Sequence, residues 1–378
     1  MNILLKDLTA EQLHAQTKHL GLTLHQARQI HATAVRRSEY PTSTEHGIAA
    51  RLLDEVRQCT AIPNLTLLEK RVSPTDGFAK YLFRGDGPEP FEAVRIPLLH
   101  KPDDRKYVVC VSSQVGCSLG CRFCATGRLG FRRNLAAWEI VDQVIQIQAD
   151  SPHPVRGVVF MGMGEPMFNY DRVMQAAKIL TASSGMAIAG KAITISTAGV
   201  VPGIRRFTAE RHIYRLVVSL NMADPATRRE WMPVETKYPM PELLESLREY
   251  NAATRRRVVF AWTMIAGVNT RPEDARQLAE LVGDLPIKLD LIDVNDPTGR
   301  CRPPSAEELA AFRDALSAEL GVPVGRRYSG GRDIHAACGM LAGATKLGDE
   351  ALSENSNSHP ERSEGSRLIC GDSSLRSE

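Results

Sequence analysis

From residue 107 onward, short apolar runs alternate with longer amphipathic stretches, and this alternation restricts the folds open to the chain. Apolar runs of six to eight residues predict buried strands, and the stretches between them carry apolar residues at helical spacing. Strands that alternate with helices form a parallel sheet with right-handed crossovers. The sequence therefore predicts strands over residues 107–113, 157–162, 192–197, 214–220, 258–265 and 287–294.

Six strand–helix units are too few for a closed barrel of eight strands. The pattern predicts an α/β fold over residues 105–343, either a partial (β/α)6 barrel or an open doubly wound sheet. The first connecting helix is expected to follow Asn134 as its N-cap, and a short further strand is expected in VPVGRRYS. Both architectures bind ligands at the carboxyl ends of their strands, so we expect the functional site there.

The segments outside this region have different patterns. Residues 1–60 carry apolar residues at helical spacing and predict a small helical domain. Residues 61–104 alternate apolar and polar residues between turn signals, which predicts a short β-meander or hairpin. Residues 344–378 form a tail that is Ser-rich, polar and aperiodic from about residue 353, where we expect disorder.

The composition excludes some partners. The 47 Lys and Arg residues nearly balance the 44 Asp and Glu residues, so a nucleic-acid surface would have to be a local patch. No stretch approaches the roughly 20 apolar residues of a membrane helix, and Asp7 and Glu11 lie where a signal peptide would be apolar. We expect a cytoplasmic protein without membrane association. Candidate basic patches are Arg132–Arg133, Arg205–Arg206, Arg211, Arg228–Arg229, Arg255–Arg257 and Arg326–Arg327.

Three of the eight cysteines lie within eight residues, directly after the first predicted strand of the α/β region, in the run Cys117-Ser-Leu-Gly-Cys121-Arg-Phe-Cys124. This spacing lets one loop surround a metal centre and is typical of ligands in a reducing compartment. A zinc site needs four ligands and would require Cys110 or Cys338 in addition. Three thiolates can instead hold three irons of a 4Fe–4S cluster and leave the fourth iron open to an amine and a carboxylate. The spacing favours the cluster.

A glycine-rich segment, Gly162-Met163-Gly164-Glu165-Pro166, follows the second predicted strand of this region. Glycines let the backbone approach a ligand closely, and Glu165 offers a carboxylate to an ammonium group. This segment is weak evidence by itself. One helix after the cysteine loop, it predicts a cofactor site.

The two motifs together resemble those of the radical S-adenosylmethionine (SAM) superfamily, which implies a partial (β/α)6 barrel. Further segments between residues 92 and 343 resemble the RlmN/Cfr family, radical SAM enzymes that methylate C2 or C8 of an adenosine in 23S ribosomal RNA. The helical N-terminal region is similar in kind to the accessory domain of that family. The segments that carry the resemblance are VCVSSQVGCSLGCRFCATG, GFRRNL, FMGMGEP, ITISTAGVVPGI and DIHAACGMLAG.

The resemblance implies a role for each matching residue. The ligands of the cluster would be Cys117, Cys121 and Cys124. The SAM site would be lined by Gly164, Glu165, Ser196, Ser219, Leu220, Asn221 and Asn295. Cys338 would be the catalytic residue that carries the methyl group. Cys110 would release the product by forming a transient disulfide with Cys338, and Glu92 would handle the proton.

The implied activity is methylation of adenosine in RNA, most simply at C2, with 23S rRNA as the first substrate and tRNA as the second. The C2 carbon is electron-poor, so a methyl cation cannot be transferred to it directly, and a radical route avoids that barrier. Two SAM molecules would be used per turnover, with an electron donor such as flavodoxin or ferredoxin. Two alternatives remain: an enzyme of this lineage with another substrate, and a metal-stabilised RNA-binding protein without catalysis.

Three segments depart from the pattern of the family. Asn221 stands where the family has histidine, and the segment 292–296 contains two additional acidic residues, Asp293 and Asp296. The segment 326–332 before Cys338 is basic but altered. These departures indicate a divergent member and concern the substrate more than the cluster.

Overall fold

A computed structural model describes residues 2–98, 105–296 and 298–342; the predicted tail lies outside these residues. The N-terminal region is helical as predicted. Thr9 and Thr23 cap its first two helices by accepting hydrogen bonds from the backbone N–H of Gln12 and Gln26. Apolar side chains of this region form a hydrophobic cluster of their own. The elements are β1 (Ile3–Leu4), α1 (Ala10–Gln16), α2 (Leu24–Arg37), α3 (Ser43–His46), α4 (Ala50–Cys59) and β2 (Thr60–Ala61), with β1 and β2 paired in parallel.

The predicted β-meander is present and is part of a larger sheet. Its strands are β3 (Thr66–Val72), β4 (Ala79–Arg84) and β5 (Phe91–Leu98), which pair antiparallel in that order. Strand β5 then pairs antiparallel with β6 (Lys106–Cys110). The meander therefore extends the main sheet by three strands.

The remaining strands confirm the predicted α/β fold. They are β7 (Gln114–Gly116), β8 (Phe131–Asn134), β9 (Val155–Phe160), β10 (Ile193–Thr197), β11 (Arg215–Ser219), β12 (Val258–Met264), β13 (Ile287–Asp293) and β14 (Val324–Arg327). Strands β6 and β9–β14 are parallel neighbours in one ten-stranded sheet, in the order β14-β13-β12-β11-β10-β9-β6-β5-β4-β3. Strands β7 and β8 form a separate antiparallel pair.

Helices connect the parallel strands as expected. They are α5 (Ala125–Arg128), α6 (Ala137–Ala149), α7 (Tyr170–Thr181), α8 (Val201–Ala209), α9 (Pro225–Trp231), α10 (Val234–Lys237), α11 (Met240–Thr254), α12 (Pro272–Val282) and α13 (Ala306–Leu320). The N-cap prediction at Asn134 is wrong, because α6 begins three residues later and the Asn134 side chain instead accepts a hydrogen bond from Gln114. All six predicted strands are found, with shifted ends.

A buried ion pair connects the N-terminal region to helix α6. The Lys6 ammonium lies 2.5 Å from the Asp142 carboxylate of α6, and both side chains are completely buried. Lys6 also donates hydrogen bonds to Ser38 and Asn64. The second carboxylate oxygen of Asp142 accepts one from the backbone N–H of Leu65 at 2.7 Å. One pair of charges thus joins three parts of the chain.

We expect Lys6→Met to lower the free energy of unfolding by about 3–5 kcal/mol, because it leaves the Asp142 carboxylate buried without its cation. Urea denaturation measures this loss. The control is Arg51→Met, which breaks an exposed ion pair with Glu55 and should have no measurable effect because water and salt screen that pair. Equal urea concentrations at the unfolding midpoints of the two variants would contradict this expectation.

Candidate active site

A cavity lies at the carboxyl ends of the central parallel strands, where the sequence predicted the functional site. It contains about 940 Å³ of empty space, part of which is open to solvent. Residues at or just after the ends of β9–β13 form much of its wall. Those residues include Gly162, Gly164, Glu165, Ser196, Thr197, Ala198, Ser219, Asn221, Thr263, Ile292 and Asn295.

The three clustered cysteines line the same cavity. Cys117, Cys121 and Cys124 belong to the loop that follows β7. Gly116 directs this loop: its φ is +71°, and a side-chain carbon there would lie 1.8 Å from the carbonyl oxygen of Gly130. Only glycine fits so close an approach. The sequence motif therefore folds into a loop whose three thiols border one space.

Burial shapes the acidity of these thiols. Burial, with the neighbouring thiols, raises the pKa of Cys117 to about 12 and that of Cys121 well above its usual value, so the thiolates need a cationic centre. Within residues 2–98, 105–296 and 298–342, no three His, Cys, Asp or Glu side chains gather closely enough to hold one metal ion.

Glu165 is buried at the wall of this cavity. Its carboxylate accepts hydrogen bonds from the backbone N–H of Ala198 at 2.8 Å and of Met167 at 3.0 Å. Burial raises its pKa to about 7, and these hydrogen bonds limit the rise. Gly164, with φ of +100°, lies against Gln114, whose side chain accepts from the Glu165 N–H. A carboxyl group in this environment favours a cationic partner such as an ammonium group.

Most other predicted SAM-site residues lie in the cavity wall, and Leu220 does not. Ser196, Ser219 and Asn221 line the cavity, whereas the Leu220 side chain packs in the hydrophobic core. The Leu220 carbonyl oxygen accepts a hydrogen bond from Arg228. Arg228 is completely buried and also bonds Ala198, so it joins the ends of β10 and β11 and is not the phosphate-binding residue that the basic cluster suggested.

The backbone conformation and the hydrogen bonds at position 221 both suit asparagine. Its φ is +61°, a conformation that asparagine tolerates better than most residues. Its side-chain oxygen accepts a hydrogen bond of 2.7 Å from the backbone N–H of Thr263, and its carbonyl oxygen accepts one from Asn269. The amide therefore braces the ends of β11 and β12.

Asn295 connects the end of β13 to the segment that carries Cys338. Its side-chain nitrogen donates to Ser329 Oγ at 3.0 Å and reaches the Cys338 carbonyl oxygen at 3.4 Å. Its side-chain oxygen is buried and has no hydrogen-bond partner among the described residues. A donor on a bound ligand would satisfy that oxygen.

Cys338 lines two cavities at once. One is the cavity of the three cysteines, and the other is an adjoining cavity that contains Cys110 at the end of β6. Cys338 is exposed as a residue, but the atoms around its thiol desolvate it and raise its pKa; the Ser329 hydroxyl and Arg327 oppose the rise. Burial and the nearby Cys338 raise the pKa of Cys110. Both are free thiols in this structure, so the disulfide predicted between them is not present in it.

Glu92 lies on β5, outside the walls of both cavities. One oxygen of its buried carboxylate is 2.9 Å from the Lys80 ammonium. The other accepts a hydrogen bond of 2.8 Å from the backbone N–H of Ala342, four residues after Cys338. Glu92 therefore holds the end of the segment that carries the cysteine.

The two acidic departures near the site are neutralised by arginines. Asp293 accepts hydrogen bonds from Arg326 and Arg332 at 2.8 and 3.1 Å. Asp296 is completely buried and pairs with Arg128 at 3.2 Å. The site edge therefore does not carry the excess negative charge that the sequence suggested.

Comparison with known proteins identifies the family. The family model of the radical SAM superfamily matches residues 111–282. A probable RNA methyltransferase of Myxococcus xanthus is 45% identical over 359 residues, 94% of this chain and 98% of its own. The dual-specificity RNA methyltransferase RlmN of Syntrophobacter fumaroxidans is 38% identical over 343 residues, 90% of this chain and 98% of its own. This chain belongs to the RlmN/Cfr family of radical SAM RNA methyltransferases.

A solved structure supports the same assignment. The radical SAM methyltransferase from Sphaerobacter thermophilus is similar with a TM-score of 0.81 at 36% identity, covering 90% of this chain and 99% of that one. The predicted cofactors are therefore confirmed: radical SAM enzymes use a 4Fe–4S cluster with three cysteine ligands, and SAM. An RNA methyltransferase is an enzyme, which speaks against the non-catalytic alternative.

No helix within the described residues combines the length and the apolar character needed to cross a membrane.

We expect SAM to bind several-fold more weakly at pH 6 than at pH 7.5. With a pKa of about 7, the Glu165 carboxyl is mostly protonated at pH 6 and must lose its proton to bind an ammonium group. Anaerobic calorimetry with the cluster-loaded enzyme measures the affinity. Glu165→Gln should bind SAM weakly at both pH values, without this pH dependence. Equal affinity of the unaltered enzyme at both pH values would show that Glu165 does not contact SAM as a carboxylate.

Proposed function

We propose that this enzyme methylates C2 of an adenosine in RNA, 23S rRNA first and tRNA second, through a methyl group carried on Cys338. The observation that carries the proposal is the position of Cys338 in the walls of both cavities, with Glu165 and the three clustered cysteines in one and Cys110 in the other. A cysteine that accepts a methyl group from a cofactor in one cavity and is then released by Cys110 in the other must border both cavities. The dual-specificity RlmN relatives support the choice of RNA.

The first cavity would hold the cofactors. Cys117, Cys121 and Cys124 would ligate the cluster, and SAM would bind along the strand ends. When bound, the cluster supplies the electron that cleaves SAM to a 5′-deoxyadenosyl radical. The proposed SAM-site residues are Gly164, Glu165, Ser196, Ser219, Asn221 and Asn295, with Leu220 contributing through the backbone bend at the end of β11.

Cys338 would first act as a nucleophile. Its thiolate attacks the methyl group of one SAM molecule, which leaves as S-adenosylhomocysteine. The Ser329 hydroxyl and Arg327 favour this thiolate against the surrounding desolvation. Cys338 would then present its S-methyl group for removal of a hydrogen atom by the radical that a second SAM would supply, and would carry the resulting one-carbon unit to the adenine.

Cys110 would release the product. Once the adduct has lost the ring proton and returned one electron to the cluster that supplied it, the Cys110 thiolate would attack Cys338 Sγ; a disulfide would form, the bond between that sulfur and the transferred carbon would break, and that carbon would take up a proton to become the methyl group. A cellular thiol reductant then restores both cysteines. Burial raises the pKa of the Cys110 thiol, so this thiol would have to lose its proton before the attack. The proton-handling role implied for Glu92 would require the ring proton to reach a carboxylate that lies outside the walls of both cavities, where Lys80 balances its charge.

The remaining assignments follow from this reaction. Flavodoxin or ferredoxin would supply the electron, and an enzyme that acts on these RNA substrates would work in the cytoplasm. Residues 1–60 would form the accessory domain, residues 61–104 the short β segment, and residues 105–343 the catalytic domain.

Nucleoside mass spectrometry tests the reaction. We expect 2-methyladenosine in the RNA of a host that lacks its own adenosine C2 methyltransferase and expresses this chain, and none with Cys338→Ala. Cys301→Ala is the control, since Cys301 is a buried thiol outside the walls of both cavities. Separate digestion of rRNA and tRNA identifies the substrate. Methylation that persists in Cys338→Ala would exclude the methyl-cysteine route.

Cys110→Ala should trap an RNA–protein conjugate. Without the Cys110 thiol, the carbon that joins Cys338 to the adenine has no route of release. Denaturing gels with labelled RNA detect the conjugate, which the double variant Cys110→Ala/Cys338→Ala should lack. Normal turnover by Cys110→Ala would assign product release to another group.

A further inference from the structure

The wall of the second cavity contains an exposed aromatic ring. Tyr328 is 74% exposed, and it lines the cavity together with Cys110 and Cys338. An exposed aromatic ring beside two reactive cysteines has no evident role in stabilising the core. The methylation chemistry described above does not use it.

The ring is held in place by the turn between β3 and β4. The Tyr328 hydroxyl donates a hydrogen bond of 2.9 Å to Asp76, and the ring meets the edge of Phe78 at a centroid distance of 6.1 Å. Asp76 is itself fixed, since it also accepts from the backbone N–H of Gly331 at 2.8 Å and from that of Phe78. The ring is therefore ordered before any ligand binds, which reduces the entropy lost on binding.

The same segment carries two partly exposed arginines that share one acidic partner. Arg326 and Arg332 both donate to one carboxylate oxygen of Asp293, and about half of each arginine side chain is exposed. Each guanidinium group is therefore open to a further anionic ligand, while the Asp76 carboxylate adds a negative charge beside the Tyr328 hydroxyl. Two other basic runs lie elsewhere. Arg211 and Arg255–Arg257 precede β11 and β12, so they lie towards the amino ends of these strands, whereas the cavity is at the carboxyl ends.

We propose that an unpaired nucleobase of the RNA substrate stacks on the Tyr328 ring at the mouth of the second cavity, with Arg326 and Arg332 beside its phosphates. Proteins that recognise single-stranded RNA combine aromatic rings that stack bases with cations that follow the backbone. A target adenine that enters the second cavity would meet this ring and Cys338 in the same wall. This inference rests on the proposed function, because it assumes an RNA substrate for the same site.

The test compares Tyr328→Ala with Tyr328→Phe. The phenylalanine keeps the ring and loses only the hydrogen bond to Asp76. We expect Tyr328→Ala to weaken binding of a fluorescent RNA hairpin, and to lower kcat/KM for its methylation, by roughly tenfold or more, while Tyr328→Phe stays close to the unaltered enzyme. Ile213→Ala, which alters an exposed apolar residue preceding β11, is the control and should bind normally.

A second measurement separates stacking from a structural role. Transfer of the first methyl group from SAM to Cys338 needs no RNA, and intact-protein mass spectrometry follows it. Tyr328→Ala should form methylated Cys338 at the normal rate. A loss of that step equal to the loss of RNA methylation would overturn the proposal, as would equal defects in Tyr328→Ala and Tyr328→Phe or normal RNA binding by Tyr328→Ala.

Abasic nucleotides identify the stacked base. If an abasic nucleotide at the target position, or at one of its two neighbours, removes the difference between Tyr328→Ala and the unaltered enzyme, that base is the one on the ring. If the difference persists with every such RNA, the stacking proposal is wrong. Failure of the unaltered enzyme to bind or methylate any RNA would instead refute the proposed function and this inference with it, so the two failures are distinguishable.

Discussion

The geometry of the site depends on how the segment carrying Cys338 is attached across the ends of the strands. Side chains from the meander hold both of its ends: Asp76 binds the backbone N–H of Gly331, and Glu92 binds that of Ala342. Between these points, Gly339 accepts a hydrogen bond from the backbone N–H of Ala125 in the helix after the cysteine loop. Hydrogen bonds thus give a segment with little regular structure a fixed place between two cavities.

The meander therefore does more than enlarge the sheet. The two carboxylates that fasten the Cys338 segment belong to it or to its first turn, and β5 borders the strand that carries Cys110. The buried pair of Lys6 and Asp142 connects this part of the protein to the N-terminal helices. Residues before the α/β region therefore help to hold the Cys338 segment in place through direct contacts.

Departures from the family pattern are compensated locally. Asn221 uses its amide to join two strand ends, and Asp293 holds two arginines at the cavity mouth. Asp296 is buried against Arg128. The divergence of this chain therefore changes the edge that faces the substrate and leaves the three clustered cysteines and Glu165 facing one cavity.

The sequence by itself determined the order of strands and helices and the cysteine loop, because hydrophobic periodicity and close spacing are local properties of the chain. It failed for Asn134, whose side chain bonds Gln114, and for Arg228, which an arginine count treats as a surface charge although it is buried. The significance of Tyr328 was also hidden, since exposure beside a cavity leaves no pattern in the sequence. Only the tertiary structure decided that Cys110 and Cys338, more than two hundred residues apart, border one cavity, because contacts between distant residues arise from the packing of the whole sheet.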